Sequence, residues 1–144
     1  MTQPEVVAAA KELIAAPTPF VLSTVDGEGR PQSRWMGGLV LEEPFTIWMA
    51  AGAGSRKMDQ VSAHPQAQLL FQTPDFSRVI TVSGHCEILD SAAVKQQLWA
   101  QMPALARYFS GPEDPHLGVL RFEAKRVELL MIQDQGREPL VAEL

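Results

Sequence analysis

This chain has little of what would place it in several common protein classes. It contains one cysteine, Cys86, so no disulfide can form within the chain and a reducing compartment is expected. It has no basic excess, since 12 Lys and Arg stand against 17 Asp and Glu, which argues against nucleic acid or an anionic membrane as a partner. The sequence shows no apolar run of membrane-spanning length and no signal-peptide layout, so a cytoplasmic protein is predicted.

What is present is a strand-rich pattern in 144 residues, of which 46% are hydrophobic, enough for one domain over 1–144 with its own core. Helical spacing of apolar residues predicts helices over 4–16, from Ser55 to just before Pro65, and after a cap at Asp90 or Ser91. Strand formers and turn residues predict strands over 20–25, 31–41, 45–50, 67–72, 79–89, 117–122 and 126–132. The fold class is therefore mainly β (α+β), an antiparallel sheet or barrel of six or seven strands with flanking helices.

The run Gly52-Ala53-Gly54-Ser55-Arg56-Lys57 is the most informative segment, because it combines a flexible turn, a helix cap and two cations. Ser55 suits the N-cap position, and the glycines allow close approach of a ligand to the backbone. Cations on the first turn oppose the helix dipole unless an anion lies between them, which indicates a phosphate site. The alternative is a solvated helix start whose two charged side chains reach into water.

Several other residues have structural interpretations. Gly84 interrupts an alternating strand and predicts a bend, while Gly37 and Gly38 predict a bulge or a close approach to the backbone. Cys86 lies in a strand pattern that is typical of a small buried thiol. His64, before Pro65, is typical of a helix end, and the three histidines of the chain are too scattered to favour a metal site.

Four blocks, in this order and spacing, resemble the pyridoxine/pyridoxamine 5′-phosphate oxidase-like family of flavin-binding split β-barrels. They are FVLSTVDGEGRP (20–31), SRWM (33–36), GSRK (54–57) and HPQAQLLF (64–71). The branch that the chain resembles most is that of the small general stress proteins, the general stress protein 26-like members. The similarity runs from about residue 20 to 89, with a weaker echo at 119–129.

The resemblance implies an FMN-binding homodimer, with FAD also possible and with the flavin at the interface between two copies. It implies that the flavin phosphate is held by an arginine on the second strand and by the Ser/Arg-Lys segment. It further implies that the isoalloxazine ring lies along the strand after that arginine and touches the end of the third strand. The residues in these roles would be Arg34, Ser55, Arg56 and Lys57 for the phosphate, and Trp35, Met36, Ala50 and Ala51 for the ring.

The chain also departs from the oxidases. Leu39 occupies the place of a lysine that contacts substrate phosphate in those enzymes, and Val79 lies near the place of a flavin-binding glutamine. The substrate tyrosine and arginine of the later helix, and the arginine-histidine motif of the C-terminal extension, have no equivalents here. Pyridoxamine phosphate oxidase activity is therefore not expected.

Four functions stay open from the sequence. The chain is a flavin-dependent oxidoreductase of unknown substrate, a non-catalytic flavin carrier or stress-response protein, a member that binds deazaflavin F420 or haem, or an interaction scaffold with an empty site. Haem would require an axial ligand such as a histidine near the cleft.

Overall fold

The computed structural model describes residues 1–16, 19–133 and 138–144. The helices are α1 (Gln3–Ala15), α2 (Arg56–Ala63) and α3 (Ala92–Gln101), and a 3₁₀ helix follows at Pro103–Arg107. The strands are β1 (Phe20–Val25), β2 (Pro31–Met36), β3 (Val40–Glu42), β4 (Thr46–Gly52), β5 (Gln66–Gln72), β6 (Arg78–Ile88), β7 (Leu117–Met131) and β8 (Leu140–Glu143).

All eight strands belong to one antiparallel sheet. Its hydrogen-bonded order is β2-β1-β5-β6-β7-β4-β3, and β8 adds to β7. Within the described ranges β2 and β3 are the two ends of this path, so the sheet curls around its core without closing. The predicted split-barrel class, mainly β and antiparallel with flanking helices, is confirmed.

The core lies inside this curled sheet and follows from the alternation of side chains along each strand. On β1 the buried positions are Phe20, Leu22 and Thr24, and the residues between them, on the other face of the strand, are half-buried. The Phe20 ring stacks on the Phe71 ring of β5 with centroids 4.9 Å apart, which ties the two strands together. Helix α1 covers the core with its apolar stripe of Val6, Ala10 and Ile14.

The described ranges contain eight strands, where the sequence predicted six or seven. The predicted strand over 31–41 is two strands, because the chain leaves its pairing with β1 after Met36, passes through Gly37 and Gly38, and then pairs with β4 as β3. The predicted strands over 117–122 and 126–132 are one, because Glu123 and Lys125 are exposed while the small Ala124 is buried, so the alternation continues. Strand β8 lies in a tail that showed no clear period.

The expectations for Gly84, Cys86 and His64 are confirmed. The pairing of β6 with β7 shifts register between Ser83 and Gly84, and a Cβ at Gly84 would lie 2.0 Å from the carbonyl oxygen of Glu123. Cys86 is buried, and burial raises the pKa of its thiol to about 12, so the thiol stays protonated. His64 is the C-cap of α2.

Two expectations concern the chain as a whole. Nowhere in the three described ranges is there a helix with both the length and the apolar character needed to cross a bilayer. The single-domain organisation over 1–144 stays a prediction.

Candidate functional site

The turn between β4 and α2 sets the position of the candidate phosphate site. The backbone N–H of Ser55 donates to the carbonyl of Gly52 at 3.1 Å, and the N–H of Ala53 donates to the carbonyl of His116 at 2.8 Å. Gly54 has φ +79°, a left-handed conformation that glycine adopts without steric cost. The turn is thus fixed from both sides and delivers Ser55 directly to the start of α2.

Ser55 is at the predicted N-cap, but its side chain does not cap the helix. Its backbone is extended and its carbonyl accepts from the N–H groups of Met58 and Asp59. The hydroxyl is buried and has no hydrogen-bond partner; among the described residues it is the one buried side-chain nitrogen or oxygen atom in that condition. A buried polar atom without a partner costs about 1–3 kcal/mol, so this hydroxyl is suited to a ligand that supplies the missing bond.

Arg34 is held beside α2 by a network that joins two strands and the helix. Its Nη1 donates to the Thr24 hydroxyl at 2.8 Å and to the Leu22 carbonyl at 3.3 Å, and its Nη2 donates to Gln60 Oε1 at 2.9 Å. The Thr24 hydroxyl donates to the same Gln60 oxygen at 2.5 Å. The guanidinium is therefore fixed in position.

This network leaves part of the Arg34 guanidinium available. A guanidinium has five N–H donors, and the three bonds to Thr24, Leu22 and Gln60 use both N–H groups of Nη1 and one of Nη2. Within the described part of the chain, the Nε donor and the second Nη2 donor make no hydrogen bond. Nε and Nη2 share one edge of the plane, and such an edge can donate a bidentate pair to a phosphate.

The pKa values of two of these side chains are lowered by burial and by a neighbouring cation. Partial burial and the nearby charge of Arg56 lower the pKa of the Arg34 guanidinium. Partial burial and the charge of Arg34 likewise lower the pKa of the Lys57 ammonium. The charge of Arg56 thus affects Arg34, and the charge of Arg34 affects Lys57. Arg34 lies on β2, whereas Arg56 and Lys57 lie on α2.

No carboxylate among the described residues compensates this charge. The ion pairs between residues in the described ranges involve other cations, on the 26–30 hairpin, α1, α3, the 114–116 turn and β7. Arg56 is exposed, whereas Arg34 and Lys57 are half-buried. Three neighbouring cations with no ion pair in the described ranges, two of them following a buried hydroxyl that lacks a partner, are chemically suited to an anionic ligand.

The other predicted site residues are arranged differently. Neighbouring residues on a strand point to opposite faces, so the Trp35 side chain leaves Arg34 and is 69% exposed. Met36 is buried at the end of β2, and Ala50 and Ala51 lie near the end of β4, which closes at Gly52. The structure thus brings Arg34 near the charges of Arg56 and Lys57, with Ser55 at the start of the same helix.

Sequence reasoning did not assign a role to Thr24 or Gln60, although both orient Arg34. A signal for each existed. The hairpin register sets Arg34 opposite Leu22, which makes Thr24 a diagonal neighbour, and Gln60 lies one helical turn after Arg56 on the same face of α2.

Comparison with known protein families gives one family-level match. Residues 6–131 match the model of the family described as pyridoxamine 5′-phosphate oxidase. The chain is 28% identical over 112 residues to general stress protein 26 of Bacillus subtilis, covering 76% of each chain. It is 29% identical over 140 residues to the pyridoxine/pyridoxamine 5′-phosphate oxidase of Escherichia fergusonii, but this covers 88% of the chain and only 59% of the oxidase, so the chain spans about three fifths of the length of such oxidases.

Solved structures agree on the fold. The structure of general stress protein 26 from Bacillus anthracis superposes with a TM-score of 0.79 at 22% identity, covering 100% of both chains. A protein of Mycobacterium smegmatis described as heme-binding superposes with a TM-score of 0.77 at 15% identity, covering 99% of this chain and 60% of that one. At these identities the likeness concerns the fold alone.

Proposed function

This chain belongs to the pyridoxamine 5′-phosphate oxidase family, and we propose that it is an FMN-binding protein of the general stress protein type. The observation that carries the proposal is the buried, unpartnered hydroxyl of Ser55 beside the convergent cations Arg34, Arg56 and Lys57. This arrangement fits the terminal phosphate of FMN, and FAD would offer a diphosphate to the same groups.

Without a ligand, the cation cluster has an electrostatic cost. Partial burial disfavours the charged forms of Arg34 and Lys57, and their mutual repulsion adds to that cost. A phosphate dianion reverses both contributions, because it attracts all three cations and accepts hydrogen bonds from the Ser55 hydroxyl and from the first N–H groups of α2.

Each residue has a role in this proposal. Arg34 donates from its Nε and Nη2 edge, Ser55 donates its hydroxyl, and Arg56 and Lys57 add charge from the solvent side. The backbone of Trp35 and Met36 and the end of β4 at Ala50 and Ala51 would contact the isoalloxazine ring, as the family resemblance implies. FMN, when bound, supplies two-electron and one-electron redox chemistry, and the protein supplies position and electrostatics.

The assembly in this proposal is a homodimer with the flavin between two copies. A second copy would cover the face of the ring that β2 does not contact. Size-exclusion chromatography with light scattering tests this: a monomer that binds FMN with full affinity would contradict the interfacial site.

The proposed flavoprotein has two forms, which differ in whether the flavin turns over a substrate. The first is an oxidoreductase, and the second is a flavin carrier or stress-response protein without turnover. Leu39, which contributes no charge, argues against the phosphorylated vitamin B6 substrates of the oxidases. Flavin-loaded protein that oxidises neither NADH nor NADPH with any acceptor would support the second form.

A second candidate ligand is haem, and one observation favours it. His85 on β6 lines a cavity of about 500 Å³, together with residues of β1 and β5. A histidine that lines a cavity could serve as an axial ligand. Deazaflavin F420 is a third candidate because it also carries a phosphate. The absorption spectrum and mass of the ligand released on denaturation separate all three.

The decisive test is the double variant Arg56→Ala/Lys57→Ala, with FMN affinity measured by equilibrium dialysis. We expect the affinity to fall at least tenfold, because hydrogen bonds to charged groups are worth roughly 1.5–3 kcal/mol each. The matched control is Arg30→Ala/Lys95→Ala, which removes the same charge from two cations that already pair with carboxylates. Equal affinity in wild type and the double variant would overturn the phosphate site.

A further inference from the structure

A separate cavity of about 630 Å³ lies where the end of β2 meets the turn between β5 and β6. Its lining includes Trp35, Met36 and Gly37 from one side and Thr73, Pro74 and Phe76 from the other. Its volume is within the range of roughly 300–1,000 Å³ that is usual for small-molecule sites.

The lining is apolar and aromatic. Among the described residues that form it, none carries an ionisable side chain, and the polar side-chain groups are the Gln72 amide, the Thr73 hydroxyl and the Trp35 indole N–H. Trp35 and Phe76, 69% and 62% exposed, are large aromatic side chains that water would otherwise cover. A charged ligand would find no counter-ion here, whereas a flat apolar ligand would find aromatic surface.

Phe76 is held in this position by a strained but well-bonded turn. Its φ is +61°, an unusual value for a bulky residue. Its N–H donates to the Thr73 carbonyl at 2.9 Å, and Ser77 donates from its N–H and its hydroxyl to Asp75 Oδ1 at 3.0 and 2.7 Å. These bonds lower the pKa of Asp75 to about 2, so the carboxylate keeps them near neutral pH. Strain maintained to expose an aromatic ring points to a binding role.

We infer that this cavity binds an uncharged, planar aromatic molecule through Trp35 and Phe76. If the bound molecule is the substrate of a flavin, the inference rests on the proposed function, because Trp35 and Met36 are also the residues expected beside the flavin ring. That the cavity binds such a molecule at all is inferred from the cavity alone. The absence of charge from the described lining agrees with Leu39 in place of a phosphate-binding lysine and sets this ligand class apart from phosphorylated ones.

The experiment is calorimetric titration of the FMN-loaded protein with 2-naphthol, compared with naphthalene-2-sulfonate, which has the same rings and a negative charge. We expect saturable binding of 2-naphthol with one site per chain, and sulfonate binding at least tenfold weaker. Phe76→Ala should weaken 2-naphthol binding about fivefold or more and leave FMN affinity unchanged. Tyr108→Ala is the control, since Tyr108 is 77% exposed and does not line this cavity.

Phe76→Gly separates a ligand role from a structural one. Glycine adopts the left-handed backbone without strain, so this variant should have an equal or higher Tm and still lose 2-naphthol binding. Unchanged 2-naphthol binding in either Phe76 variant, equal binding of the sulfonate, or loss of 2-naphthol binding when FMN is loaded would overturn the inference. The last result would mean that the flavin ring fills the cavity. Failure of FMN to bind, with 2-naphthol binding retained by the FMN-free protein, would overturn the proposed function alone.

Discussion

Arginines at two places in this molecule have opposite electrostatic environments. On β7, Arg126 donates to Glu128 at 2.9 Å and also pairs with Glu143 of β8, and the bonds to these carboxylates raise its pKa. On β2, Arg34 is bonded to neutral oxygens only and lies near another cation, and burial and repulsion lower its pKa. The first arrangement is complete in itself, whereas the second leaves the positive charge without an ion pair in the described residues, as the proposed anion site would need.

The strongest test of this comparison replaces each arginine by methionine. Arg34→Met should weaken FMN binding roughly 100-fold or more, because it removes a two-pronged charged contact worth roughly 3 kcal/mol or more. Its folded ligand-free form should be no less stable, since the change relieves repulsion and leaves Thr24 bonded to Gln60.

Arg126→Met is the matched control for that experiment. It should leave FMN affinity unchanged and alter the Tm only slightly, because exposed ion pairs contribute little. Equilibrium dialysis and thermal denaturation of the two variants are the measurements. Similar losses of FMN affinity in both would remove the distinction between the two regions.

Lys57 should make FMN affinity depend on pH, and the expected effect lies between those of the Arg34 and Ser55 variants. Its pKa in the ligand-free protein lies below the ordinary 10.5, because of burial and the nearby Arg34, and a bound phosphate would raise it again. FMN affinity should therefore be full below the ligand-free pKa and fall as pH rises through it, levelling off above the pKa of the complex. The fall is about tenfold for each unit by which the ligand raises the pKa.

The measurement for Lys57 is FMN affinity from pH 7 upward, in wild type and in Lys57→Met. The variant should bind more weakly at pH 7 and lack the additional alkaline fall, so that the two affinities converge. Any titration of the flavin itself is common to both proteins. Parallel pH profiles would show that Lys57 does not face the phosphate.

Ser55→Ala should have the smallest effect, and in two opposite directions. The variant loses one hydrogen bond to the ligand, so FMN affinity should fall about three- to tenfold. The ligand-free protein should gain up to about 1 kcal/mol of unfolding free energy, because the Ser55 hydroxyl makes no capping bond and leaves a buried group unpaired. Chemical denaturation with and without FMN measures both. A less stable ligand-free variant would indicate that the hydroxyl has a partner in the protein.

Much of the fold could be predicted because it rests on local signals. The alternation in β1 and β5, the turn at Asp26–Gly29 and the helical stripe of α1 are all visible in short windows of sequence. The break between β2 and β3 at Gly37 and the continuity of β7 were predicted wrongly, since each depends on hydrogen bonding to neighbouring strands. In the pairing of β6 with β7, for example, Ala124 lies opposite Gly84, and these two residues are 40 positions apart in the sequence.

The candidate site was predictable to a similar degree. Ser55, Arg56 and Lys57 stand together in the sequence, and the resemblance to the family added Arg34. Thr24 and Gln60, which orient Arg34, carry no distinctive motif. The exposed Phe76 was not singled out either, because a left-handed backbone at a phenylalanine is not encoded in any short pattern.

Short stretches of sequence are enough to predict the sheet-forming segments, the glycine turn and the position of two cations at the start of α2, since these depend on residues within a few positions of one another. The tertiary structure alone decided that the Arg34 guanidinium lies near those cations, that the Ser55 hydroxyl is buried without a partner, and that Trp35 and Phe76 share one cavity. Burial and electrostatic repulsion arise between segments far apart in the chain, so only the folded arrangement fixes them.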